Sequence, residues 1–155
     1  MRRSTTVRLL GCLGLSAALL SSTATVRSQD PSLGATYGSV RLQAGFTPDP
    51  YTVGVTSGGN IQTNLGGVRA WVANAPDFKL NYTAGSLPLI FRAESRGDAT
   101  LLINGPDGRW YANDDSNGLN PQIRFNNPQS GRYDIWVGSI PRDGTRATLF
   151  ISEIR

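Results

Sequence analysis

The sequence predicts an all-β chain folded as an antiparallel β-sandwich of jelly-roll type. Short apolar segments recur at roughly 8–12-residue spacing, with a turn signal in each gap. No stretch of ten or more residues carries the 3.6-residue apolar period of an amphipathic helix. Glycine and proline, 18 and 9 of 155 residues, are too frequent for long helices.

The elements follow in order. Residues 1–24 predict a secretory signal peptide: Arg2, Arg3 and Arg8 form a positive start, Leu9 to Leu20 an apolar run, and Ser21 to Ala24 a small-residue cleavage site. That run is shorter than the roughly 20 residues a membrane-spanning helix needs. The expected product is therefore periplasmic or extracellular, with no membrane anchor after cleavage. Residues 25–37 are small and polar and predict a flexible tether. Residues 38–155 predict a single domain, long enough to bury a core of its own.

Within that domain, Val40-Arg41-Leu42 predicts a strand before the Pro48-Asp49-Pro50 break. Tyr51 to Val55 and Val68 to Val72 follow, the latter ending at the turn Asn74-Ala75-Pro76-Asp77. Phe78 to Thr83 alternates apolar and polar residues, as a half-buried strand does. Leu87 to Ala93 is a more continuous apolar run, with Pro88 placing its start at an edge or bend. Ala99 to Ile103, Arg109 to Ala112, Ile123 to Phe125, Tyr133 to Val137 and Thr148 to Ile151 complete the strands.

Composition excludes several functions. The whole chain carries 15 basic and 11 acidic residues, a net charge of +4. Three of the arginines lie in the leader, which has no acid, so the remaining chain is close to neutral and global charge makes no case for nucleic acid. The single cysteine, Cys12, also lies in the leader. There is no histidine, so Ser–His–Asp and Cys–His catalysis and histidine-ligated metals are excluded within this chain. An enzyme built from what remains would need carboxylates, as glycosidases do, or a Ser–Lys arrangement using the one lysine, Lys79.

The segment WYANDDSNGLNP, residues 110–121, is the richest in candidate chemistry. Hard cations such as calcium take six to eight oxygen ligands from carboxylates, amides and backbone carbonyls. Asp114, Asp115, Asn117 and Asn120 offer these in one loop, without the spacing of an EF-hand. Asp98 and Asp107, in neighbouring turns, would add carboxylates if those turns share an end of the sandwich. The same residues are also the commonest turn formers. Trp110 and Tyr111 beside the loop are a possible stacking platform for a polysaccharide; core packing is the other reading of Trp110. Trp136, framed by Ile135 and Val137, is expected in the core.

The C-terminal half, about residues 90–153, resembles the bacterial pre-peptidase C-terminal (PPC) domain. The resemblance rests on Asp98-Ala99-Thr100-Leu101, Pro106-Asp107-Gly108, Asn113-Asp114-Asp115, and Pro128 with Ser130-Gly131, Tyr133, Ile135 and Val137. It implies a jelly-roll-like sandwich, carried in that family on secreted proteases, some members binding calcium and some an insoluble substrate. Gly45 to Pro50 and Ala75 to Phe78 resemble a group of stand-alone exported proteins, often labelled peptidases by association. That second resemblance implies a cysteine before the aromatic near Trp71 and another after Tyr111, where this chain has Ala70 and Ala112. The expectation is an exported, non-catalytic binding or structural module with calcium as its ion. A carbohydrate-binding module and a carboxylate hydrolase are the alternatives, and a polysaccharide or a protein surface is the expected partner.

Overall fold

The computed structural model describes residues 28–154. The predicted signal peptide, and residues 25–27 of the predicted tether, lie outside the described residues. Eleven strands form two sheets: β1 (Ser39–Gln43), β2 (Tyr51–Thr56), β3 (Ile61–Thr63), β4 (Ala70–Val72), β5 (Phe78–Thr83), β6 (Leu89–Ser95), β7 (Ala99–Asn104), β8 (Trp110–Asn113), β9 (Gln122–Phe125), β10 (Gly131–Ser139) and β11 (Arg146–Ser152). The all-β sandwich expected from the alternation is what forms. Besides shifts of about two residues at other strand ends, two differences from expectation stand out. β3 is an added three-residue strand whose single apolar side chain, Ile61, leaves almost no periodic signal. The predicted strand at Val68 begins only at Ala70, because a 3-10 turn occupies Leu65–Gly67.

The larger sheet runs β1-β5-β10-β4-β3, with β7 on the other side of β10 and β8 beyond it; the smaller runs β2-β11-β6-β9. Every pair is antiparallel except β1 with β5, which is parallel. That exception follows from connectivity, since the chain makes β2, β3 and β4 before returning, and a long crossover is what parallel neighbours require.

β10 is the spine of the fold. It pairs with β5 along Gly131–Ile135 and with β7 along Asp134–Ser139. Its alternation sends Tyr133, Ile135 and Val137 into the core between the sheets, with Leu80, Phe91, Leu101, Ile103, Leu149 and Ile151. Trp136 points the opposite way. It is fully buried, as expected, but in a second cluster on the outer face with Val72 and Leu102, closed over by Leu65, Trp110 and Ala112. Ala70 and Ala112, where the resemblance implies cysteines, line one small apolar gap with Val68 and Thr100.

The described part of the predicted tether, residues 28–37, does not stand free. Asp30 donates its amide to the Asn74 carbonyl, and Thr36 and Tyr37 donate theirs to the carbonyls of Pro76 and Asp77. The Pro31 carbonyl accepts from Lys79 Nζ at 2.8 Å. Lys79 in turn pairs with buried Asp134 at 3.3 Å, which Arg132 contacts at 2.9 Å. A polar sequence is thus held by satisfying backbone groups and a buried ion pair, which composition does not reveal.

Candidate functional site

β8 belongs to the larger sheet and β9 to the smaller, so residues 114–121 must cross from one sheet to the other. The crossing is stitched together by polar groups. Asn117 and Asn120 exchange backbone hydrogen bonds around Gly118, whose φ of 61° suits glycine. Asn113 Oδ1 accepts the Gln122 amide at 2.9 Å, and Asn120 Oδ1 accepts the Ser95 amide at 3.1 Å. Ala99 donates to the Leu119 carbonyl and Ala93 to that of Pro121. The loop is therefore fastened to β6, β7 and the turn between them, which carries Asp98.

That fastening gathers three of the five predicted ion ligands. The Asp98 carboxyl is raised above its ordinary range, first by burial and then by the charges of Asp115 and Asp114. Asp98 Oδ1 is buried and accepts no hydrogen bond. Asp114 Oδ1 caps the Asp115 amide at 3.1 Å. The two asparagines do not join them: Asn120 spends its side-chain oxygen on Ser95, and Asn117 is exposed at the tip. Among the described residues, no three acidic, cysteine or histidine side chains are placed to hold a metal ion together. Asp107 lies in the turn at the opposite end of β7, where it accepts the Tyr111 hydroxyl at 2.6 Å and the Arg109 amide at 3.0 Å. Those bonds hold its carboxyl below the ordinary range, that from Tyr111 most of all.

Trp110 and Tyr111 do not form one platform. Neighbouring residues of a strand face opposite ways. Trp110 lies on the outer face against Trp136, with ring centroids 5.2 Å apart. Tyr111 turns inward against Phe125, 4.8 Å between centroids.

A second location was not legible in the sequence. Asp77, read there as a turn residue after Pro76, is only 4% exposed. Its Oδ2 accepts the Val137 amide at 2.7 Å. Among the described residues nothing else bonds to the carboxylate, and no cation pairs with it. Burial pushes its pKa up to about 7, against the opposing effect of that hydrogen bond. Asp77 lines an open cleft of about 390 Å³ with Thr36, Tyr37, Gly58, Arg142 and Asp143. Asp77 and Asp143 are two carboxyl groups on one cleft, the arrangement a carboxylate hydrolase would need. Asp143 sits on an exposed turn, and among the described residues no hydrogen bond or ion pair fixes its carboxylate.

Scanned against protein-family models and against curated proteins, the chain matches none. Among solved structures it is similar to that of PliG from Aeromonas hydrophila, a periplasmic lysozyme inhibitor of g-type lysozyme. The likeness has 14% identity and a TM-score of 0.37, and spans 74% of this chain and 96% of that one. Among the described residues no helix is long and apolar enough to cross a membrane.

Proposed function

We propose that this chain is an exported, non-catalytic β-sandwich that acts as a binding or structural module, with a PPC-like C-terminal half and a calcium ion at the end of the sandwich where the 114–121 loop meets Asp98. One observation carries the ion: Asp98 Oδ1 is buried and unpartnered beside the charges of Asp114 and Asp115. A buried acceptor of this kind carries a desolvation cost that a hard cation would offset. Asp98 would be the first ligand, and Asp114 and Asp115, which do not stand at ligand spacing with it, would have to draw in around the ion, tying the β6–β7 turn to the loop.

The test is a thermal melt of the purified protein with calcium and with chelator. Saturating calcium is expected to raise the melting temperature by at least about 5 °C, as binding to the folded state alone requires. A melting temperature indifferent to both reagents removes the ion from the proposal. The carbohydrate reading now rests on Trp110 alone, on the outer face, and the hydrolase reading on Asp77 with an unfixed Asp143. Neither is favoured over a binding module.

A further inference from the structure

The Asp77 cleft shares no lining residue with the acidic loop and asks for a different ligand. Its walls come from four segments: Thr36 and Tyr37 of the N-terminal stretch, Thr56 to Gly59 at the end of β2, Ala73 and Asp77 between β4 and β5, and Arg142 to Gly144 between β10 and β11. Two of these segments touch backbone to backbone. A Cβ at Gly144 would lie 1.7 Å from the Ser57 carbonyl oxygen, so the close approach requires glycine there. The wall is also held by Ser57, which accepts the Thr145 amide at 3.0 Å and donates its hydroxyl to the Thr145 carbonyl. The cleft is therefore a built surface rather than a chance gap between loops.

Within this surface Asp77 is an anomaly. A buried carboxylate is ordinarily paired with a cation or surrounded by hydrogen-bond donors. Asp77 has one donor, the Val137 amide, and no cation among the described residues. Arg142, the cation that lines the cleft, is engaged elsewhere: its guanidinium carbon lies 5.1 Å from the centroid of the Trp71 ring. The charged side chains lining the cleft are Asp77, Asp143 and Arg142, which leave one negative charge in excess. Tyr37 adds a partly exposed ring, and ring faces attract cations.

We propose that this cleft binds an organic cation, the guanidinium or ammonium group of a ligand, with Asp77 as its buried counter-ion. The cation would supply the missing charge and donors to the unpartnered side of the carboxylate, while Asp143 and Tyr37 shape the rim. The free protein bears the cost of an unpaired buried acid, and the ligand removes it. A stabilising substitution at Asp77 should then weaken binding, as happens where a site is kept at the expense of stability.

The experiment is an amide NMR titration of the folded protein at pH 8 with methylguanidine, with the tripeptide Gly-Arg-Gly, and with N-acetylglutamate as the anionic control. Saturable shifts at Gly58, Gly59 and Gly144 are expected with both cationic probes and not with the anion. Equal affinities would assign the cleft to the cation alone, and a tighter tripeptide to a polypeptide bearing a basic side chain. Asp77→Asn keeps the shape and the acceptor for Val137, and should weaken binding at least tenfold. A second measurement uses the unaltered protein at pH 5, where a protonated Asp77 should also weaken binding at least tenfold; Tyr37, Arg142 and Asp143 are the other ionisable groups on the cleft. The proposal is overturned if those glycines do not shift, if Asp77→Asn binds as well as the native chain, or if the anion binds there instead.

Discussion

Glu153, at the end of the last strand, accepts the amide of Gly45 on Oε2 at 2.7 Å across 108 positions of chain. Its other carboxylate oxygen accepts the Tyr82 hydroxyl, and its own amide donates to Asp49 Oδ2 at 3.0 Å. One buried side chain thus ties the end of β11 to β5 and to the turn between β1 and β2. Burial, and then the bond to Glu153, push the Tyr82 hydroxyl well above its ordinary pKa.

Glu153→Ala should cost about 2–4 kcal/mol, because it strands a buried hydroxyl and a backbone amide together. Glu153→Gln keeps an acceptor and should cost less. Urea unfolding curves decide between them, with the slope unchanged if only the native state is affected.

Asp77 predicts a pH dependence of opposite sign to that of a paired carboxylate. Its folded pKa of about 7 lies above the ordinary value of 3.8, so between those limits the folded chain holds a proton that the unfolded chain releases. Stability should be fully present below about pH 4, fall as pH rises toward 7, and level off above it. Asp77→Asn removes this fall, and should be more stable than the native chain at pH 8 by a few kcal/mol. Chemical denaturation at pH 4, 6 and 8 checks it; equal slopes with pH for both proteins would refute it.

Asp98→Asn tests the acidic end. Asp98 is raised by burial and by Asp115 and Asp114, so its ionisation also weakens the fold as pH rises above the carboxylate range. Without calcium at pH 7.5, the variant should melt higher than the native chain, since one of three repelling charges is gone. With calcium the order should reverse, because the native protein gains an ion and the variant does not. Parallel melts with calcium and with chelator read both effects.

Trp110→Ala should cost about 1.5–3 kcal/mol, since it uncovers Trp136 and leaves a gap against Leu65 and Ala112. The emission of Trp136, fully buried in the native fold, should shift to longer wavelength as water reaches its ring. An unchanged spectrum and stability would mean that Trp110 is free for a ligand.

How much of this was legible depends on how local the signal is. The alternation in Phe-Lys-Leu-Asn-Tyr-Thr predicts β5 at once, and its burial follows that alternation through all six residues. Trp136 was legible as buried, but not as facing outward, because both neighbours in Ile135-Trp136-Val137 are apolar and the period is lost. Asp98 and Asp107 looked equivalent beside the loop. One strand, β7, separates them, and strand direction alone decides that only Asp98 shares the loop's end. Asp77 gave no signal, since the segments bonded to it, Ile135 to Val137 of β10 and Tyr37, lie far from it along the chain.

By itself, then, the sequence determined the all-β class, the positions of ten of the eleven strands and the absence of histidine chemistry. These are properties of residue type and of contacts within a few positions. The tertiary structure decided the rest: the outward tryptophan cluster, the approach of Asp98 to Asp114 and Asp115, the docking of residues 28–37, and the burial of Asp77 with one backbone amide and no cation among the described residues. Each of these depends on which distant segments the two sheets bring together, and burial and charge–charge distance exist only once they have closed.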